Sequence, residues 1–249
     1  MNKPFKALFL DLDGVLFVGN DPLPGAARAL HQARKAGLLL RFLTNTATQS
    51  RQQLLDKLGS MGFDIAGDEL FTAPIAAKHY ILEHNLRPYC LIHKNIRCDM
   101  TGIDENDPNC VLLGDARDDL NYQTLNHAFQ LCINGAQLIG IGMNRYFKSE
   151  QGLMLDAGPF IRAIEWAAGN EALIMGKPGK DFFQQVVAST PFTAEQCLMV
   201  GDDVIGDVEG AVHAGLMGCL VRTGKFRPGD ENHLPVDAGV VDSLCSLFP

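Results

Sequence analysis

At 249 residues the chain is long enough for one large domain or two smaller ones, and it can bury most of its unfolded surface without disulfide or metal staples. Hydrophobic residues at 47% and charged residues at 20% describe a folded globular protein and exclude a disordered one. The balance of 21 Lys+Arg against 29 Asp+Glu gives −8, which argues against a nucleic-acid partner and requires local cations to draw in any anionic substrate.

Short apolar runs and their punctuation predict the elements in chain order. Ala7–Leu10 reads as a buried strand, Pro24–Ala36 as a helix with Gly37 past its end, Leu38–Leu43 as a strand and Thr48–Met61 as a helix. The middle repeats this rhythm, with helices at Ala76–His84, Asp119–Phe129 and Phe160–Ala168 and strands at Tyr89–Ile92, Val111–Leu113 and Gln137–Ile141. Ile103–Asn109 is polar and Pro-bearing, so it reads as a loop. A strand at Leu173–Met175, a helix from Asp181, a strand at Cys197–Val200, a helix at Asp207–Ala214 and a strand at Met217–Val221 complete the chain. Strand, helix and strand in alternation imply crossover connections, a parallel sheet and an α/β fold. Trp166 and Phe160, on one helix, read as core. His79, His84, His93 and His127 read as packing or surface residues, not ligands.

No run approaches the roughly 18 apolar residues that span a bilayer, so no membrane partner is expected. The seven cysteines are odd in number and form no C-x-x-C pair. They read as reduced thiols of a cytoplasmic protein, several of them core filler, and not as a zinc site.

Four motifs fall at predicted strand ends, where open parallel sheets bind ligands. Asp11-Leu12-Asp13-Gly14-Val15 follows the first strand and places two carboxylates on one side of an extended segment. Leu43-Thr44-Asn45-Thr46 ends the second core strand and offers hydroxyl and N–H donors for an anion, or helix caps. Gly176-Lys177-Pro178 supplies a cation in a loop that is not a Walker loop. Gly201-Asp202-Asp203-Val204-Ile205-Gly206-Asp207 follows the strand at Cys197–Val200, with Asp203 placed to cap the next helix. Unit charges ~4 Å apart repel by about 4 kcal/mol at an effective dielectric of ~20. Convergence of Asp11, Asp13 and Asp202 therefore calls for a bound cation, and oxygen ligands favour Mg²⁺.

The ordered set D-L-D-G-V, L-T-N, G-K-P and G-D-D-x-x-G-D resembles the haloacid dehalogenase superfamily of phosphoryl-transfer enzymes. Leu86-Arg87-Pro88-Tyr89, Asn109-Cys110-Val111, Asn126-His127-Ala128-Phe129, Arg145-Tyr146-Phe147-Lys148 and Arg222-Thr223-Gly224-Lys225-Phe226-Arg227-Pro228 extend the resemblance over nearly the whole chain, to its NagD-like branch. The resemblance implies a Rossmann-like catalytic core at residues 1–75 and 174–249 and an inserted α/β cap domain at 76–173. It implies Asp11 as nucleophile, Asp13 as general acid and base, Thr44 as phosphate-binding hydroxyl and Lys177 as the neutralising cation. Asp11, the main-chain carbonyl of Asp13, Asp202 and the outer acid Asp207 would serve Mg²⁺. Animal members of that branch carry Ser where this chain has Asp13.

Asn45 joins Thr44 as a candidate substrate contact. From the cap, Arg145, Tyr146 and Lys148 could bind a second phosphate or an acidic leaving group, with a basic surface loop as the alternative. The expected activity is Mg²⁺-dependent hydrolysis of a small phosphorylated substrate or pyrophosphate through an aspartyl-phosphate. A phosphomonoesterase acting on sugar or nucleoside monophosphates, a dehalogenase, and a silent phosphate-binding scaffold are the alternatives. A homodimer is implied by analogy alone.

Overall fold

The computed structural model describes residues 4–149 and 152–248, and the side chains of 148 and 149 are outside the description. The chain divides into two compact units. The first holds Met1–Thr44, Gln52–Phe71 and Lys177–Pro249, and the second holds Asn45–Arg51 and Thr72–Gly176.

The first unit opens with strand β1 (Ala7–Asp11), whose residues are all buried. A small hairpin, β2 (Phe17–Val18) and β3 (Asp21–Pro22), leads to helix α1 (Ala26–Lys35). Ala26, Ala29, Leu30 and Ala33 recur at helical spacing and form its buried face, and Arg34 and Lys35 favour the negative end of its dipole. Strand β4 (Leu39–Thr44), helix α2 (Arg51–Ser60) and strand β5 (Leu70–Thr72) follow.

Helix α3 (Ala73–Glu83) begins the main segment of the second unit, with Thr72 as N-cap accepting from the Ile75 N–H at 3.3 Å. Strands β6 (Pro88–Leu91) and β7 (Cys110–Leu113), helix α4 (Tyr122–Ile133) and strand β8 (Gln137–Gly140) come next. An antiparallel hairpin of β9 (Tyr146–Ser149) and β10 (Gly152–Leu155), helix α5 (Ala157–Ala168) and strand β11 (Leu173–Ile174) complete it. Its sheet has the order β11-β8-β7-β6 and is parallel throughout. The segment Asn45–Arg51 belongs to this unit: Asn95 Nδ2 donates to the Thr48 carbonyl at 3.0 Å, and the Arg51 N–H donates to Asp99 Oδ2 at 2.9 Å.

The chain then returns to the first unit through helix α6 (Lys180–Ala188), strand β12 (Cys197–Gly201), a π-helical turn at Val204–Glu209, helix α7 (Gly210–His213) and strands β13 (Met217–Val221) and β14 (Gly239–Val241). The six-stranded sheet has the order β14-β13-β12-β1-β4-β5. Every pairing from β14 to β4 is parallel. The chain builds outward from β1 through β4 to β5, then returns beside β1 with β12 and builds the other way. The boundary between β1 and β12 is therefore the topological switch point, where ligands bind in such sheets.

Trp166 corrects the expectation that it serves the core: it is 90% exposed. The buried face of α5 runs through Ala157, Ile161 and Ile164, and Trp166 lies roughly 200° round the helix from Ile164. Phe160 packs against that core as expected. The helix expected at Asp207–Ala214 starts earlier, because Asp203 caps it and the turn from Val204 is already wound. All seven cysteines are free thiols, and Cys90, Cys110, Cys132, Cys197 and Cys219 are buried. Burial pushes the thiols of Cys90, Cys110 and Cys219 up to about 12. Among the described residues no helix is long and apolar enough to cross a membrane.

Candidate active site

Asp11 is the last residue of β1 and Thr44 the last of β4, and Asp202 directly follows β12. The register aligns Leu10 with Val200 on one side and Asp11 with Leu43 on the other, so the three residues share the carboxyl edge of the sheet. Polar residues are rarely buried unless paired. Here Asp11, Thr44, Lys177, Asp202 and Asp207 are all buried.

Lys177 holds the acids together. Its Nζ lies 2.7 Å from Asp11 Oδ1 and 2.6 Å from Asp207 Oδ1. The Leu12 N–H also donates to Asp11 Oδ1, at 2.8 Å, so the carboxylate is gripped from two sides. Burial works against the Lys177 charge, but attraction from Asp11 and Asp207 outweighs it and raises the pKa, so the residue is a permanent cation. Burial pushes Asp207 up, against the pull of Lys177.

One cation does not balance this group. Carboxylate oxygens of Asp11, Asp202 and Asp207 lie within 4.8 Å of one another. Asp202 Oδ1 is buried with no hydrogen-bond partner, and burial pushes the Asp202 carboxyl up to about 6. A buried acceptor without a donor costs free energy, and an oxygen-only set of acids relieves that cost by binding a hard divalent cation. The residues therefore fit such an ion.

Around this group, Asp13 is exposed two residues beyond Asp11, and Gly14 follows with φ +86. A Cβ at Gly14 would stand 2.0 Å from Asp202 Oδ2, so glycine lets the turn close against that acid. Asp203 accepts from the Ile205 and Gly206 N–H groups at 3.0 and 2.9 Å, which makes it the cap read from its position. Asn45, Arg145 and Tyr146 belong to the second unit, and Arg145 and Tyr146 are exposed there. The side chain of Lys148 lies outside the described residues.

The structure adds to the site the turn Thr223–Lys225, which lies outside the four strand-end motifs. Thr223 Oγ1 donates to the Gly14 carbonyl, and the Lys225 N–H donates to Asp202 Oδ2 at 2.6 Å. Two signals point to it: its place after β13, beside β12, and its inclusion in the Arg222–Pro228 motif of the resemblance.

Comparison with known proteins places the chain among the haloacid dehalogenase-like hydrolases, and it is a member of that family. The family described as haloacid dehalogenase-like hydrolase matches residues 8–104, and a second profile of the same superfamily matches residues 174–247. The chain is a phosphatase of that superfamily. It is 42% identical over 247 residues to human phospholysine phosphohistidine inorganic pyrophosphate phosphatase, covering 96% of this chain and 91% of that protein. It is 41% identical over 232 residues to rat haloacid dehalogenase-like hydrolase domain-containing protein 2, covering 93% and 90%. Among solved structures, 4-nitrophenylphosphatase from Thermotoga maritima superposes with a TM-score of 0.87 at 26% identity, over 98% of this chain and 96% of that one. The glycerol phosphate phosphatase of Mycobacterium tuberculosis, solved with magnesium, superposes with a TM-score of 0.85 at 27% identity, over 98% of this chain and 76% of that one.

Proposed function

We propose that this chain is a Mg²⁺-dependent phosphatase that hydrolyses a small phosphorylated substrate or pyrophosphate through an aspartyl-phosphate at Asp11. The observation that carries this reading is the buried cluster itself. Asp11 is held by Lys177 beside Asp202 and Asp207, and Asp202 Oδ1 has no partner.

In the first step a carboxylate oxygen of Asp11 forms a bond to phosphorus as the bond to the leaving group breaks. Asp13 gives its proton to the leaving oxygen. In the second step Asp13 takes a proton from water, the water oxygen bonds to phosphorus, and the bond to Asp11 breaks to free inorganic phosphate. A carboxylate is a weak nucleophile, so its position and the cancellation of charge matter most. Lys177 offsets the charge of Asp11, and Thr44, buried at the end of β4, is placed to contact the transferring group. Asp11, Asp202 and the Asp13 carbonyl would hold Mg²⁺, with Asp207 outside them. The ion supplies charge neutralisation for the transferring phosphoryl group.

Asp13 favours a second reading within this class. An alkoxide leaving group needs a proton far more than a departing phosphate or imidazole does. A general acid at this position therefore supports phosphomonoesters over pyrophosphate and phosphohistidine. Phosphate release with Mg²⁺ across pyrophosphate, phosphohistidine, phospholysine, sugar phosphates and nucleoside monophosphates tests both readings. Preference for the first three aligns the chain with the named activity of its human relative. Preference for monoesters establishes the second reading, and no Mg²⁺-dependent release on any of them overturns the function.

The acid cluster also gives a pH dependence. Asp202 binds its proton more tightly in the folded protein, with a pKa of about 6, than at its ordinary value of 3.8. Raising the pH from about 4 to about 7 therefore destabilises the metal-free protein, by roughly 2 kcal/mol from this group. Mg²⁺ competes with that proton, so its stabilisation grows across the same window. Melting temperatures in EDTA and in millimolar Mg²⁺ should diverge as pH rises. A constant gap between the two curves would count against the cluster as the metal site.

A further inference from the structure

We propose that the turn Thr223–Lys225 is a positioning element for the divalent ion, holding the Asp202 carboxylate so that only Oδ1 is offered to it. This rests on the reading of the acid cluster as a Mg²⁺ site.

The turn makes two contacts with that site from one short stretch of chain. The Lys225 N–H takes Asp202 Oδ2 at 2.6 Å. Oδ1 of the same carboxylate is left buried and unpartnered. The two oxygens are thus distinguished: one is spent on the protein and the other is kept for a ligand. Thr223 Oγ1 donates to the carbonyl of Gly14, the residue next to Asp13. The loop after β1 and the acid after β12 are therefore tied to the same turn after β13.

The fit leaves no slack. Gly224 has φ +62, and a Cβ there would stand 2.1 Å from Asp202 Oδ2 and 2.4 Å from Gly14 Cα. Gly14 and Gly224 meet face to face over the carboxylate, which neither could do with a side chain. Lys225 Nζ lies 3.7 Å from Asp203 Oδ2, with its side chain largely exposed, so the main chain of this residue does the holding. Outer groups that orient a ligand acid typically change metal affinity 10–100-fold when removed.

Thr223 is the group that can be altered without touching a ligand. Thr223→Val keeps the shape and removes the donor to Gly14, and Thr223→Ser keeps the donor. The probe is MgCl₂ titrated calorimetrically into the metal-free full-length chain. We expect roughly tenfold or greater loss of Mg²⁺ affinity in Thr223→Val and recovery in Thr223→Ser. The Mg²⁺ concentration for half-maximal activity should move with it, while the KM for substrate at saturating Mg²⁺ stays put. Wild-type affinity in Thr223→Val overturns the proposal. So does a lower melting temperature of the metal-free protein with Mg²⁺ affinity unchanged, because that describes a structural residue. Should Thr223→Val fail to fold, the smaller Thr223→Ala carries the same test. Absence of Mg²⁺ binding by the wild-type chain is a different failure, and it removes the metal reading itself.

Discussion

Asp11→Asn is expected to lose phosphatase activity by a factor on the order of 10⁴ or more while keeping its fold. The amide preserves the shape of the side chain and still accepts the Leu12 N–H, which now reaches Asp11 Oδ1 at 2.8 Å. What disappears is the negative oxygen that would bond to phosphorus. Stability should change little in the metal-free protein, because the lost attraction to Lys177 is offset by relief of repulsion from Asp202 and Asp207. The Mg²⁺ response of the melting temperature should weaken, since one acid of the cluster has been neutralised. Activity assays and thermal melts with and without Mg²⁺ check both halves. A folded Asp11→Asn protein that retains more than about a hundredth of wild-type turnover would exclude Asp11 as the nucleophile.

The second large effect falls on stability as well as catalysis. Lys177 is buried between Asp11 and Asp207. Removing one partner of a buried ion pair typically costs 3–5 kcal/mol, because an uncompensated charge remains. For a chain of this length that corresponds to a fall of about 10 °C in melting temperature. Lys177→Met, close in volume, should show this loss in full at pH 8 without metal. At pH 5 the loss should shrink, because burial raises Asp202 and Asp207 toward protonation and a neutral carboxyl does not repel its neighbours. Mg²⁺ should restore part of the stability but not the activity. Equal melting temperatures for the two proteins at pH 8 would show that Lys177 does not hold the acids together.

The carboxyl-edge motifs were legible because each combined a short apolar run with polar residues directly after it. Asp11, Thr44, Lys177 and Asp202 stand at or just past such junctions and Asp207 closes the last motif, and all five are buried residues of the first unit. The turn at Thr223–Lys225 lies in a motif of the family resemblance, Arg222–Pro228, but nothing in that motif marks it as part of the site. One of its two contacts uses a backbone N–H, which every residue but proline carries, and the other joins positions 209 residues apart. Arg145, Tyr146 and Lys148 stand out as a motif of the family resemblance and, for Arg145 and Lys148, by charge, and neither signal specifies a direction.

The same contrast holds for the fold. Strands such as β1 and β12, buried on both faces, announce themselves as continuous apolar runs. The hairpin β2–β3 has strands of 2 residues each and β14 has 3, too short for any period to register. The hairpin β9–β10 was missed for another reason: all of Gly152–Leu155 is exposed, so its apolar residues line no core face. Exposure of Trp166 carries the same lesson, since residue type alone does not fix which side of a helix meets the interior.

The buried cysteines give the molecule a set of internal reporters. Cys197 and Cys219 lie in the first unit, and Cys90, Cys110 and Cys132 lie in the second. An alkylating reagent attacks thiolates that it can reach, and these five are both shielded and held in the protonated form. Exposed Cys98 reacts from the folded state, whereas labelling of the buried thiols waits for local or global opening. The rate at which each peptide gains mass then measures the opening of its own unit. Cation-linked protection should consequently appear first at Cys197 and Cys219, on the strands that carry or flank the acids.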